Sequence, residues 1–171
     1  MENVNYLSVA EEVVQQIKTK GALLVAKSQD NEKINVMTIG WAALGYMWRK
    51  PVMVVMVRES RFTHHIIEKA SSFTVSSPAD DLEEVLKFCG TKSGRDVNKF
   101  QECNLTTIPG QKVDTPIINF SGIHYECKIV YKSKMNPDFL CKEYKEDVYS
   151  DNDYHTFYFG EILACYKIGS S

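Results

Sequence analysis

Apolar residues along this chain follow two periods, and the change from one to the other marks out its elements. From Leu7 to Lys18, Val9, Val13, Val14 and Ile17 recur at helical spacing, and Glu11 and Glu12 occupy the opening turns where the macrodipole favours negative charge. A first helix is expected there, stopped by Gly21. β-branched segments follow at Ala22 to Ala26, Ile34 to Gly40 and Val52 to Val57, separated by a polar turn at Gln29 to Glu32 and a loop ending in Pro51. They predict consecutive antiparallel strands. Arg61 to Ala70 suits a short helix with Phe62, Ile66 and Ile67 on one side, and Phe73 to Ser76 returns as a strand. A second helix is expected next, with Ser77 as its cap, Pro78 in its first turn and Asp80 and Asp81 at its positive end. Leu82, Val85, Leu86 and Cys89 would form its apolar stripe and Gly90 would end it. Ile123 to Tyr131 and His155 to Ile168 read as long strands. Between them Lys132 to Asp153 is charged, contains Pro137 and lacks sustained periodicity, which predicts a surface excursion.

About six strands with two or three short helices, and no regular strand-helix alternation, predict a mainly β fold with short helices, an antiparallel barrel. The run Val52 to Val57 is apolar on both faces. Its outer face must therefore be covered, by the helices or by a second subunit.

No repeat, low-complexity tract or Pro/Gly-rich linker divides the 171 residues, so one domain over 1–171 is expected. The formal charge of -2 gives no electrostatic reason to expect nucleic acid or an anionic membrane as partner, which leaves small molecules. Cys89, Cys103, Cys127, Cys141 and Cys165 are scattered, odd in number and never spaced as C-x-x-C, so neither a disulfide framework nor a zinc site is signalled. The acidic N-terminal stretch is unlike a secretory signal, and no apolar run approaches the roughly 20 residues of a membrane helix. A cytoplasmic protein is expected.

Three segments carry candidate chemistry. In Asn35-Val36-Met37-Thr38-Ile39-Gly40-Trp41 a polar pair, a glycine and a tryptophan interrupt a buried strand, and at period two Asn35, Met37, Ile39 and Trp41 share a face. Taken alone this reads first as a core strand with a satisfied Asn35. It also suits a flat heteroaromatic ligand, with edge hydrogen bonds from Asn35 and polarizable contact from Met37 and Trp41. In Arg58-Glu59-Ser60-Arg61-Phe62-Thr63 two guanidinium groups and two hydroxyls stand at the entrance to a short helix, a set that fits a phosphate monoester or, equally, a solvated turn with Ser60 or Thr63 as N-cap. Cys89 to Phe100 combines Gly90 and Gly94 with Lys92, Arg95 and Lys99. Alone it reads as a helix end and charged loop, and it matches neither Walker nor dinucleotide glycine spacing. His64 and His65 are adjacent, so they lack the i, i+4 relation of a helical metal pair. No Ser/His/Asp or Cys/His arrangement stands out, which disfavours a covalent hydrolase.

In this order, these segments together with Asn98-Lys99-Phe100, Gly122 to Cys127 and His155 to Ile162 resemble the flavin reductase-like family of FMN-binding split barrels, which includes the flavoredoxins. The resemblance runs from about Ala22 to Tyr166 and implies an FMN-binding split antiparallel β-barrel with Greek-key topology, working in electron transfer as a homodimer. By motif position it implies that Asn35, Val36, Met37, Thr38 and Trp41 lie along the isoalloxazine and ribityl chain, and that Arg58, Ser60, Arg61 and Thr63 serve the phosphate end. Gly90, Ser93, Gly94, Arg95 and Lys99 would close the site, and His155 matches a histidine placed near the flavin, where it would modulate rather than catalyse. The flavin then carries the chemistry, with NAD(P)H as co-substrate and no protein nucleophile or metal. A flavoredoxin-like electron carrier with protein redox partners, or a non-enzymatic split-barrel ligand-binding dimer, are the alternatives. Two departures stand out: a long insertion precedes Asp153-Tyr154-His155 where the family has a short turn with Gly-Asp-His, and the chain ends soon after Ile168.

Overall fold

The computed structural model describes residues 1–169; Ser170 and Ser171 of the expected domain lie outside the described residues. In chain order the elements are β1 (Glu2–Asn3), α1 (Ala10–Thr19), β2 (Ala22–Lys27), β3 (Ile34–Ile39), β4 (Ala42–Met47), β5 (Lys50–Arg58), α2 (Phe62–Ile67), β6 (Ser72–Pro78), α3 (Glu83–Thr91), α4 (Lys99–Glu102), β7 (Thr107–Ile108), β8 (Ile117–Ile118), β9 (Gly122–Lys134), α5 (Lys142–Val148) and β10 (His155–Ile168). The long strands form one antiparallel sheet in the order β3-β2-β6-β9-β10-β5-β4, with β1 added to β10. The steps from β2 to β6 and from β10 to β5 are Greek-key crossovers. The sheet is not closed: β3 and β4 are its two edges, yet only Gly40 and Trp41 join them, so the split of the barrel falls at this joint.

Two cores account for the apolar runs. Ala22, Leu24 and Ala26 of β2 point into the barrel with Met37, Ile39, Met53, Val55, Phe73, Tyr125 and Tyr158, and α1 closes that core with Val13 and Ile17. Leu23 and Val25 point the opposite way, onto Val36, Leu86, Cys89 and Ile118. The outer face of β2 and β3 is thus covered by α3 and α4, as the two-sided hydrophobicity of the strands requires. Gly21, at φ 91, turns the chain from α1 into β2.

Several boundaries differ from expectation for identifiable reasons. The stretch before Pro51 is not a loop: β4 pairs with β5 across a tight turn in which Trp48 and Arg49 take φ 51 and 60, left-handed values that neither side chain announces. Consequently β3 and β5 are not sheet neighbours. Ser77 and Pro78 do not cap α3; they end β6, paired with Ile123 and Gly122, and Pro78 is tolerated there as a terminal strand residue. Helix α3 starts at Glu83 and runs through Gly90 to Thr91. The excursion after Tyr131 begins as a continuation of β9 and contains a turn of 3-10 helix at Pro137–Phe139 and α5.

Several buried polar groups are tied in. The Glu126 carboxylate, fully buried, accepts from the backbone N–H of Gln111 (2.7 Å), Lys112 (2.6 Å) and Val113 (3.1 Å) and from the Tyr166 hydroxyl (2.7 Å), fixing the 110–113 loop to the barrel. His124 is fully buried between Ser76 Oγ, 2.9 Å from Nδ1, and the Phe120 carbonyl, 3.1 Å from Nε2. Burial pushes its pKa down to about 4. The unfolded chain, with an ordinary histidine near 6.5, therefore binds a proton that the native state refuses between about pH 6.5 and 4. Stability is full above that window and falls with acid by up to about 1.4 kcal/mol per pH unit for this group. His155, also lowered to about 4, adds to the same slope. His64, lowered by burial, contributes in the same direction, so unfolding free energies of His124→Gln measured against pH should show a shallower but not abolished slope; an unchanged slope would place the proton uptake elsewhere.

Candidate functional site

The split between β3 and β4 opens into a continuous cleft. One part, about 180 Å³, is lined by Met37 to Trp41, Met56, Arg58, Arg61, Gly90 and His155. The next, about 100 Å³, is lined by Asn35, Met37, Ser60 to Thr63, Cys89 to Arg95 and Lys99. Met37, Arg61 and Gly90 belong to both. A wider groove of about 780 Å³ follows, sharing Asn35, Phe62, Gly94, Arg95 and Lys99 with the middle part.

Strand β3 supplies the floor. Asn35, buried, donates from Nδ2 to Thr63 Oγ1 at 2.9 Å, which couples β3 to the start of α2. Met37 lies across the junction of the two smaller parts. Thr38 faces the helical layer, where its hydroxyl donates to the Leu86 carbonyl at 2.6 Å and holds α3 against the strand. Val36 points into the core beneath α3, so of the expected contacts its side chain is the one the structure removes from the cleft, because strand alternation sends it to the other face.

Trp41 and His155 form the apolar end, with ring centroids 4.9 Å apart and planes tilted by 42°. Trp41 is 45% exposed, whereas His155 is 8% exposed. Burial first, then the nearby Arg58 guanidinium, lowers the His155 pKa to about 4, so the ring is neutral near pH 7.

The other end is cationic. Lys99 is 4% exposed, and its ammonium donates to the Cys89 carbonyl at 2.7 Å. It has no carboxylate partner among the described residues, and burial lowers its pKa. The Arg61 side chain, on the shared wall, likewise has no hydrogen-bond or ion-pair partner among the described residues. Arg95 donates to the Ser60 carbonyl at 3.1 Å and lies 5.5 Å from the centre of the Phe62 ring. Gly94 passes so close to Asn35 that an added Cβ would sit 2.3 Å from Oδ1 and 2.7 Å from Phe62 Cδ1. Ser93 accepts from the backbone N–H of Arg95 within the same loop.

Arg58 and Ser60 are engaged differently from expectation. The Arg58 guanidinium donates to the Val148 and Asp153 carbonyls and pairs with Asp151 at 3.1 Å, so it serves the insertion while its stem lines the cleft. Ser60 donates from its backbone N–H and its hydroxyl to the Asp153 carboxylate. Met56, Phe62 and, within the insertion, Tyr149 were not singled out by the sequence as parts of this region. Met56 was concealed within a uniformly apolar strand, and the insertion carries no periodic signal that places it near the site.

The Flavin reductase like domain family matches residues 15–170. The chain belongs to this family. An uncharacterised protein of Archaeoglobus fulgidus is 31% identical over 132 residues, covering 77% of this chain and 64% of the relative, so the chain spans just under two thirds of that protein. Among solved structures, a flavoredoxin from Methanosarcina acetivorans is 25% identical with a TM-score of 0.68, covering 87% of this chain and 68% of that one. The NADH:FAD oxidoreductase of Streptomyces globisporus, 17% identical with a TM-score of 0.66 over 98% of this chain and 88% of its own, shares the fold. These likenesses agree with the mainly β, open antiparallel sheet described above as a split barrel.

The contact between Gly94 and Asn35 makes one expectation concrete. In Gly94→Ala the new methyl group must displace Asn35 or the loop, costing about 1–3 kcal/mol of stability in chemical denaturation; an unchanged midpoint and slope would show that the close approach is not required.

Proposed function

We propose that this flavin reductase-like chain binds FMN in the cleft and works as an FMN-dependent oxidoreductase, reduced by NAD(P)H and passing electrons to an acceptor. The observation that carries the reading is Lys99, a buried ammonium with one carbonyl partner and no carboxylate among the described residues, at one end of a cleft whose other end is built from Met37, Trp41, Met56 and His155. Burying an unpaired cation is costly, and a phosphate dianion would offset that cost.

The residues present fit the group. Lys99 and Arg61, with Arg95, Ser93 and the loop at Gly94 beside them, would hold the phosphate, while Met37, Trp41 and Met56 would contact the flat ring. Asn35 and Thr63, already bonded to each other, would hold the shape of the middle section. Bound FMN would supply the hydride-accepting ring. The chain's own part is to bind it, exclude water from the Met37 and Trp41 side, and present a neutral His155 to its edge.

The likeness to a flavoredoxin favours a second reading, a carrier that keeps FMN bound and exchanges electrons with a protein partner. In either reading we treat residues 1–171 as one domain and place the protein in the cytoplasm on the strength of its five free thiols. Among the described residues no helix is long and apolar enough to cross a membrane.

We also include a homodimer in this reading. Tyr46 in β4, Trp48 in the β4–β5 turn and Val130 and Tyr131 in β9 are exposed, and Trp48 and Tyr131 meet Phe159 edge to face at 5.9 and 5.4 Å. An exposed aromatic patch of this kind marks an interface. Trp41 at the head of β4 is half-exposed too, so a second copy seated here would also shelter the mouth of the cleft. Sedimentation should show a dimer for the native chain and a monomer for Trp48→Asp; a native monomer overturns this part.

Purified protein incubated with FMN should acquire a flavin absorption band, and anaerobic NADH or NADPH should bleach it rapidly. Reduction by dithionite alone would favour the carrier, and no flavin uptake would remove both readings. Lys99→Met or Arg61→Ala should weaken FMN binding by about 1.5–3 kcal/mol while leaving riboflavin, which lacks the phosphate, almost unaffected. Equal losses for both ligands would contradict the phosphate assignment.

A further inference from the structure

The insertion between β9 and β10 ends on the one histidine in the cleft wall. Tyr149, the residue after α5, is 4% exposed, and its hydroxyl lies 2.8 Å from His155 Nδ1. The phenol meets the imidazole edge to face, with centroids 5.5 Å apart, and Tyr154 stacks on it at 5.1 Å. Arg58 completes the enclosure: its guanidinium carbon is 5.3 Å from the centre of the Tyr149 ring, and the same group donates to the carbonyl of Val148, the preceding residue. Tyr149 is therefore fixed by contacts on several sides.

The hydroxyl has no other hydrogen-bond partner among the described residues, and neither has His155 Nε2. Donation of the phenol proton to the lone pair on Nδ1 leaves a neutral imidazole with its own proton on Nε2. The reverse arrangement would leave the phenol hydrogen without an acceptor. Burial and Arg58 keep the ring neutral near pH 7, so one tautomer can be held over the working range.

We propose that Tyr149 is a positioning residue, whose hydroxyl fixes His155 as the Nε2–H tautomer so that the ring offers a single hydrogen-bond donor to the polar edge of a flavin in the cleft. The acceptor named here rests on the FMN reading above; the tautomer does not. The insertion, in place of a short turn, thus supplies a residue that acts on the site through His155 without touching the ligand.

The test uses ¹⁵N-labelled, flavin-free protein at pH 7, with the His155 signals assigned by their loss in His155→Gln. In the native chain His155 Nδ1 should resonate as an unprotonated ring nitrogen and Nε2 as a protonated one. Tyr149→Phe, which keeps the ring and its packing, should show mixed tautomers and bind FMN roughly two- to ten-fold more weakly, the loss of about one hydrogen bond. A native ring with its proton on Nδ1 overturns the proposal, and so does a variant whose tautomer or FMN affinity is unchanged. The native spectrum decides the tautomer even if the variant does not fold. Native protein that takes up no flavin refutes the function proposed above and the acceptor with it, while the flavin-free spectrum still settles whether Tyr149 sets the ring.

Discussion

Strand β3 is packed on both faces, and the arrangement of the cleft depends on that constraint. One face of the strand looks into the barrel, the other receives α3, and the alternation of side chains leaves no choice about which residue goes where. Val36 and Thr38 anchor the helix, through the shared core and through the bond to the Leu86 carbonyl. Asn35 and Met37 are left on the cleft side, with Asn35 bonded to Thr63. Docking α3 in this way carries its last turn and the 92–99 loop over the start of α2, so residues far apart in sequence come to line one space.

That space has two unlike ends, for electrostatic reasons. Lys99, at the start of α4, is buried, and among the described residues its charge is met by the Cys89 carbonyl alone. Asp151 and Asp153 answer Arg58 and Ser60 on the side of the insertion, and neither pairs with Lys99 or Arg61 among the described residues. Positive charge is thus left uncompensated at the Lys99 end among the described residues, while the other end presents Met37, Met56, Trp41 and the neutral His155 ring. A ligand with a flat ring and a terminal anion satisfies both at once, which is the physical basis of the FMN proposal.

The insertion joins the site through one guanidinium. Arg58 ends β5, and its donors fasten Val148, Asp151 and Asp153, so the segment between β9 and β10 is drawn onto the barrel. Tyr149 and His155 are brought together as a result. The groove beyond Phe62, by contrast, stays open, leaving access to the cleft from the Lys33 and Arg95 side.

Local pattern was enough to find most of what depends on neighbours in sequence. The apolar spacing of Val9, Val13 and Ile17 marked α1, and the β-branched runs marked β2, β3, β5 and β10, because burial of one face or both is written directly into residue order. The ordered motifs pointed to the family and to segments that the fold does gather around one cleft. Pairing was beyond that pattern. Nothing local distinguishes Ser77-Pro78 as a strand end from a helix cap, since the decision belongs to Ile123 and Gly122 across the ladder. Strand β4 was hidden because its turn depends on left-handed Trp48 and Arg49, residues that seldom take that conformation. Whether Arg58 met a ligand or the insertion, and whether Tyr149 met His155, depended on contacts spanning 90 and 6 positions that only the tertiary arrangement decides. Hydrophobic periodicity records how much of a residue is buried; it carries no record of which distant partner buries it.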